Sequence, residues 1–146
     1  GFLAEGYFKH NVRSGFDLMH IPTKQRVPFC TIEPTSGWVK NRRFYFNPEV
    51  FQVGGSWLEN DLLDTLNFMV IDELGHFELV KQGWFNSVLF LQQSFSGIKI
   101  YIVRRSLVEP MADLFQWQNF KIIDIEEVNL QLFVSELVDG QLIVGS

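Results

Sequence analysis

Cysteine is nearly absent from this chain: Cys30 is the one example in 146 residues, so no internal disulfide can form. That fits a reducing compartment. Histidine is also scarce. His10, His20 and His76 stand in no metal-ligand spacing and have no second cysteine to join them, which leaves surface or loop positions as the expectation. Basic residues are outnumbered, twelve Lys and Arg against seventeen Asp and Glu. With a net charge of −5 and no basic cluster larger than Lys40-Asn-Arg42-Arg43, the sequence argues against a nucleic-acid footprint. No apolar run approaches the roughly 18 to 20 residues of a membrane span, and no basic-then-apolar leader opens the chain. A cytoplasmic protein without membrane or nucleic-acid partners is expected. The chain opens at Gly1 rather than Met, the mark of a processed product or of a piece of something longer.

What is present is ample core material. Apolar residues make up 47% of the chain and charged residues 20%, which excludes wholesale disorder, and the length suits one domain spanning residues 1–146. Fifteen Phe and four Trp read first as a Phe-rich core and second as aromatic surface kept for a partner.

Two short apolar segments, residues 1–8 and 15–21, flank a polar connection and predict a β-hairpin. Residues 27–32 predict a further strand, placed at an edge because Pro28 cannot donate to a ladder. Residues 33–40 read as loop and 43–46 as extended. Asn47-Pro48-Glu49 then signals a helix start, with Asn as cap, Pro in the first turn and an acid near the positive end of the helix dipole. Gly54-Gly55 predicts a break in that helix, with helical spacing resuming from Ser56. Apolar steps of three and four predict a helix over residues 80–93, ended by Gly97. Ile98–Val103 is a β-branched buried-strand candidate with Arg104-Arg105 at its carboxyl end. A helix over 110–117 and a strand over 120–125 complete a strand–helix rhythm that predicts a parallel sheet in an α/β fold. Residues 129–138 read either as a capped helix or as one arm of a hairpin turning at Asp139-Gly140, with the helix favoured.

The chemistry concentrates at Asn67-Phe-Met-Val-Ile-Asp72-Glu73. A nearly continuous apolar run is what a strand covered on both faces looks like, and two adjacent carboxylates end it. Open α/β sheets place ligands at the carboxyl ends of their strands. The same pattern also arises where an acidic pair merely starts a loop.

Gly1-Phe2, Glu5, Arg13, Gly15-Phe16-Asp17, Arg43-Phe-Tyr-Phe-Asn-Pro-Glu49-x-Phe51 and Val70-Ile-Asp-Glu-Leu-Gly75-x-x-Glu78-Leu79 together resemble the small P-loop nucleoside-triphosphatases, a family with thermophilic and cancer-related members. The resemblance runs from Gly1 to about Ile125. It implies a three-layer, mostly parallel P-loop-type sheet carrying an N-terminal antiparallel hairpin, and a Mg²⁺-dependent, nucleotide-binding hydrolase. By the same resemblance Asp72 would be the Walker B acid serving Mg²⁺, Glu73 would orient or activate the attacking water, and Arg104 or Arg105 would sit near the transferred phosphate. Read without it, Arg104 and Arg105 are two solvated charges on a strand end. Glu78 matches a family acid of no assigned role.

One family element has no counterpart. No Gly-Lys-Ser or Gly-Lys-Thr occurs anywhere, and Gly54-Gly55 is followed by Ser56-Trp57, so the phosphate loop and its lysine are missing from these residues. The first strand of the fold is accordingly truncated or degenerate. Two functions follow: a nucleoside-triphosphatase domain, inactive as this chain unless a Walker A segment is supplied elsewhere, or a non-catalytic interaction or regulatory domain on the same fold. A missing central strand would leave two rows of backbone groups unpaired, each costing about 1–3 kcal/mol if buried. Closure of that gap is therefore expected, by pairing of Ile98–Val103 with residues 120–125, by a strand from the 128–144 tail, or by another subunit in a homo-oligomer or partner complex.

Overall fold

His10 and Asn11 both take positive φ (49° and 61°), the conformation a two-residue hairpin turn demands. Around them β1 (Phe2–Lys9) and β2 (Val12–His20) pair antiparallel from Phe2↔His20 to Lys9↔Val12, the hairpin predicted from sequence. The structure, a computed structural model, describes residues 1–126 and 129–138. The chain divides into two compact units, Gly1–Met111 and Ala112–Ser146.

The first unit is built on a seven-stranded sheet in the order β4-β5-β3-β2-β1-β6-β7, where β3 is Arg26–Thr31, β4 Val39–Asn41, β5 Phe44–Phe46, β6 Phe68–Leu74 and β7 Ile98–Val103. Only β1–β6 and β6–β7 are parallel; the other four pairings are antiparallel. The sheet is therefore mixed rather than mostly parallel. The difference arises at the β3–β5 end. There β3 is an internal strand, paired with β2 on one side and with β5 through Cys30 and Thr31 on the other. Pro28 is tolerated because it lies beside a bulge at Phe16/Asp17 and outside the short β5 register. β4 begins inside the stretch expected as loop, with Val39 and Lys40, and turns into β5 through Arg42 at φ 54°.

The start of α1 (Glu49–Asp61) follows the sequence signal: Asn47 Oδ1 accepts the Glu49 N–H at 3.1 Å, and Pro48 has helical angles. The helix buries Val50, Gly54, Trp57, Leu58 and Asp61, spaced as one face requires. It does not break at Gly54-Gly55. Gly54 is there for closeness, since a β-carbon would stand 2.8 Å from Trp84 Nε1 and 3.1 Å from Phe2. Trp84 is the hub of this core, its ring centroid 4.7 Å from Phe2, 4.8 Å from Phe51 and 5.1 Å from Phe29. Phe2 and Phe29 are buried in this core, whereas Phe8, Phe68 and Phe120 stay exposed. His20 also belongs to the interior rather than to a loop: it is 5% exposed, stacks on Trp57, and places Nε2 2.9 Å from Asp61 Oδ1 and Nδ1 2.8 Å from Thr23 Oγ1.

The helix expected over residues 80–93 is shorter and later, a single turn α2 (His76–Leu79) followed by α3 (Phe85–Ser94). β7 then runs into a 3₁₀ turn at Arg105–Leu107 and α4 (Val108–Phe115).

In the second unit Trp117 stacks on Phe115 and meets Phe120 edge-on. Residues 120–125 form no strand, and among the described residues β7 is the last strand of the sheet. The expected pairing of β7 with this segment is thus not made. Ile122 and Ile125 stay largely exposed. The tail forms the favoured helix, α5 (Leu130–Val138), with Asn129 Oδ1 accepting the Leu132 N–H at 3.1 Å. The alternative hairpin turn at Asp139-Gly140 lies outside the described residues, and so do residues 128 and 139–144 of the tail strand considered for closing the sheet; residues 130–138 of that tail are helical instead.

Candidate functional site

Between Ile71↔Tyr101 and Leu74↔Val103, β6 advances three residues while β7 advances two. The extra residue is a bulge, and it falls on Asp72-Glu73. Ile71 and Leu74 on either side are buried, at 0% and 2% exposure. The bulge therefore turns the two carboxylates out of the ladder at the carboxyl end of a parallel strand. Glu73 completes the turn at φ 59°, a left-handed conformation that costs a residue other than glycine about 1 kcal/mol or more.

Asp72 is fixed on both oxygens by main-chain donors. Oδ2 accepts the N–H of Ala4 in β1 at 2.8 Å, and Oδ1 accepts the N–H of Glu73 at 2.7 Å. Burial nevertheless raises its pKa above the ordinary aspartate range, against those two hydrogen bonds. Glu73 is raised by burial first and by the neighbouring Asp72 charge second, while Arg104 and Arg13 oppose the shift. Arg104 directly follows β7, and Arg105 opens the 3₁₀ turn. The fold thus brings Asp72, Glu73 and Arg104 to one sheet end.

Glu78 holds the loop beyond. It is 1% exposed, and its oxygens accept the N–H of Gly75 at 2.7 Å and of Trp84 at 2.8 Å. Burial raises its pKa as well. Gly83 passes so close, at φ 62°, that a β-carbon would lie 2.2 Å from Glu78 Oε1. Residues 80–83 are tied into this loop, which is why α3 starts after them.

Sequence spacing does not find Arg13 as a neighbour of Glu73, because sixty residues separate the two. The one local hint is Gly6, which leaves the surface of β1 bare beneath the arginine stem: a β-carbon there would lie 3.2 Å from Arg13 Nε. The guanidinium lies over the rings of Phe8 and Phe16, at 5.3 and 5.1 Å. Cys30 is buried filler, its thiol pushed up to about 12 by burial and by the Glu73 and Asp17 charges.

No group of three His, Cys, Asp or Glu able to enclose a metal occurs among the described residues. The donor set suits a hard cation of the Mg²⁺ type, held by one or two carboxylates and completed by water and substrate oxygens. Each Asp72 oxygen already accepting one N–H keeps a second lone pair for that purpose.

No family profile matches the chain, and no curated protein matches it in sequence. Among solved structures it matches the solution structure of a human cancer-related nucleoside triphosphatase, with a TM-score of 0.63 and 21% identity over 100% of this chain and 82% of that one. At that identity the likeness is one of fold alone: an α/β fold with a mixed seven-stranded sheet, similar to that of the solved structure.

Proposed function

We propose that this chain is the Walker B half of a Mg²⁺-dependent nucleoside-triphosphatase domain, a cytoplasmic hydrolase with the three-layer arrangement of P-loop proteins. The observation that carries the reading is the placement of Asp72 and Glu73 in a bulge at the carboxyl end of β6, beside a parallel β7 that ends in Arg104. In this reading Asp72 holds the cation, directly or through water. Bound there, Mg²⁺ would neutralise phosphate charge and draw substrate oxygens to the sheet end.

The remaining work falls to the chain's own groups. Glu73, ionised, accepts a proton from water and aims its lone pair at phosphorus. Its pKa, raised by burial, makes it a stronger base than an ordinary carboxylate, and Arg104 opposes that shift. Arg104 or Arg105 stabilises charge on the transferred phosphoryl group, Arg104 being favoured because it acts on Glu73. The cradle for the β- and γ-phosphates is the part that no Gly-Lys-Ser or Gly-Lys-Thr within residues 1–146 supplies. That same lack favours the second reading, a binding or regulatory domain on this fold.

Titration with Mg²⁺ and with Mg-ATP, followed through the amide resonances of Glu73, Leu74 and Gly75, separates the two. The first reading expects shifts that saturate only near the millimolar range, about −4 kcal/mol, and that vanish in D72N. An unresponsive turn, or one unaffected by D72N, overturns it.

A further inference from the structure

Arg13 is anchored without being paired. Its guanidinium lies over two ring faces, and among the described residues its N–H fork has no hydrogen-bond acceptor. Among the described residues, neither Arg13 nor Arg104 takes part in the ion pairs Lys9–Glu33, His20–Asp61, Arg26–Glu5 or that of the Gly1 nitrogen with Asp61. Arg26 shows the contrast on the same sheet, donating from Nε and Nη2 to Glu5 at 2.6 and 3.2 Å.

Register fixes where the free guanidinium stands. Phe2 of β1 is level with Ile71 of β6, and the N–H of Ala4 reaches Asp72. Because β1 and β6 are parallel and Leu3 is thus level with Asp72, Gly6 lies three residues farther along, roughly 10 Å beyond Asp72 in the direction β6 points. The Arg13 Nε is packed on Gly6. The β1–β2 hairpin therefore overshoots the end of β6 and hangs an unpaired cation over it, while Arg104 leaves β7 at the same end.

We propose that Arg13 and Arg104 form a phosphate-binding pair at the carboxyl end of β6, receiving the distal phosphates of a polyphosphate ligand whose cation sits at Asp72. This rests on the nucleoside-triphosphatase reading above and adds a hairpin residue to it. The chemistry suits the ligand. A planar guanidinium offers paired N–H donors matched to phosphate oxygens, and a fork already immobilised on aromatic faces loses little freedom on binding. The attraction that both arginines exert on Glu73 places them within electrostatic reach of that carboxylate, where ligand phosphate would be met.

The test uses the 146-residue chain with ¹⁵N-labelled arginine and magnesium tripolyphosphate as the probe. The Nε–H resonances of Arg13 and Arg104 are expected to move along the same saturation curve as the Gly75 amide, with Arg26 unmoved. R13Q is expected to weaken binding about fivefold, and R13K, which keeps the charge and the stem over the rings, by less. A Gly75 response with Arg13 silent overturns this inference and leaves the Asp72–Glu73 reading standing. Silence at both overturns both. Equal shifts at Arg26 mean ionic screening only, and also overturn it. The wild-type resonances give the answer even if R13Q does not fold.

Discussion

Glu78 and Trp84 are joined beneath the loop that follows the candidate site: a fully buried carboxylate oxygen accepts the Trp84 main-chain N–H at 2.8 Å, while its twin accepts that of Gly75. Among the described residues no cation pairs with it, so the two N–H groups are what makes its burial tolerable. Through Gly75 the carboxylate reaches to within two residues of Glu73, and through Trp84 into the aromatic core.

Replacing Glu78 with Ala leaves both N–H groups buried and unmet, at about 1–3 kcal/mol each. A total loss of about 3 kcal/mol is expected from urea unfolding. G83A, which drives a β-carbon into the same carboxylate from a positive-φ position, should cost a similar amount, about 2–3 kcal/mol. If either variant unfolds at the wild-type midpoint, the staple has no structural weight.

The pH dependence of stability follows from three carboxyl groups that share one sign. Asp72, Glu73 and Glu78 all have pKa values raised in the folded state, chiefly by burial. A folded state that holds protons more tightly is favoured at low pH, so this contribution is complete below the ordinary carboxylate range, about 4, and is lost as pH rises through the folded values. Scanning calorimetry from pH 4 to 7 should show wild type losing stability relative to the D72N/E73Q double variant. A wild type that gains on that variant as pH rises would contradict the assignment.

Gly54 and Gly55 sit side by side in α1 and should respond oppositely to alanine. Alanine is favoured over glycine in a helix by about 1 kcal/mol. At Gly54 the new methyl meets Trp84, Phe2 and Leu18 at 2.8 to 3.3 Å, so overpacking wins and a net loss of about 1–3 kcal/mol is expected. At Gly55 the one close neighbour is the Ser87 hydroxyl at 3.3 Å, which can rotate away, so the change should be neutral or stabilising by up to about 1 kcal/mol. Thermal melts of the two variants check the pair, and equal effects would mean the Trp84 contact yields freely.

The same glycines mark the limit of what the sequence discloses. A Gly-Gly pair reads as a helix break because propensity is local, whereas the reason for Gly54 lies in Phe2 and Trp84, distant along the chain. The hairpin, Asn47-Pro48, β6, β7 and α5 were legible because alternation, capping or a β-branched run carries each one locally. β4 was not: three residues are too few to show alternation, and its turn is made by Arg42 in a left-handed conformation that its residue type does not advertise. Residues 120–125 look like a strand to any local rule, yet they form none, because strand pairing is decided by long-range contacts that a local pattern does not encode. At the candidate site, the acidic pair was visible and its bulge was not, since the bulge exists only relative to β7. Arg13 could be matched by family pattern, but its position over the sheet end comes from β1 overshooting β6.

The parallel seam between β1 and β6 also sets how this chain reaches its fold. β1 and β2 are neighbours in sequence, and β6 and β7 are separated by one short crossover, so each half has a small loop to close. The Phe2↔Ile71 pairing joins residues 69 positions apart. Closing so long a loop costs entropy before contacts repay it, and contacts of large sequence separation slow folding. The hairpin and the β6–β7 unit should therefore form early and dock late, with Asp72 reaching the Ala4 N–H only at the docking step. Until then the acidic pair belongs to a half-built edge, and the candidate site comes into existence with the last long-range contact of the sheet.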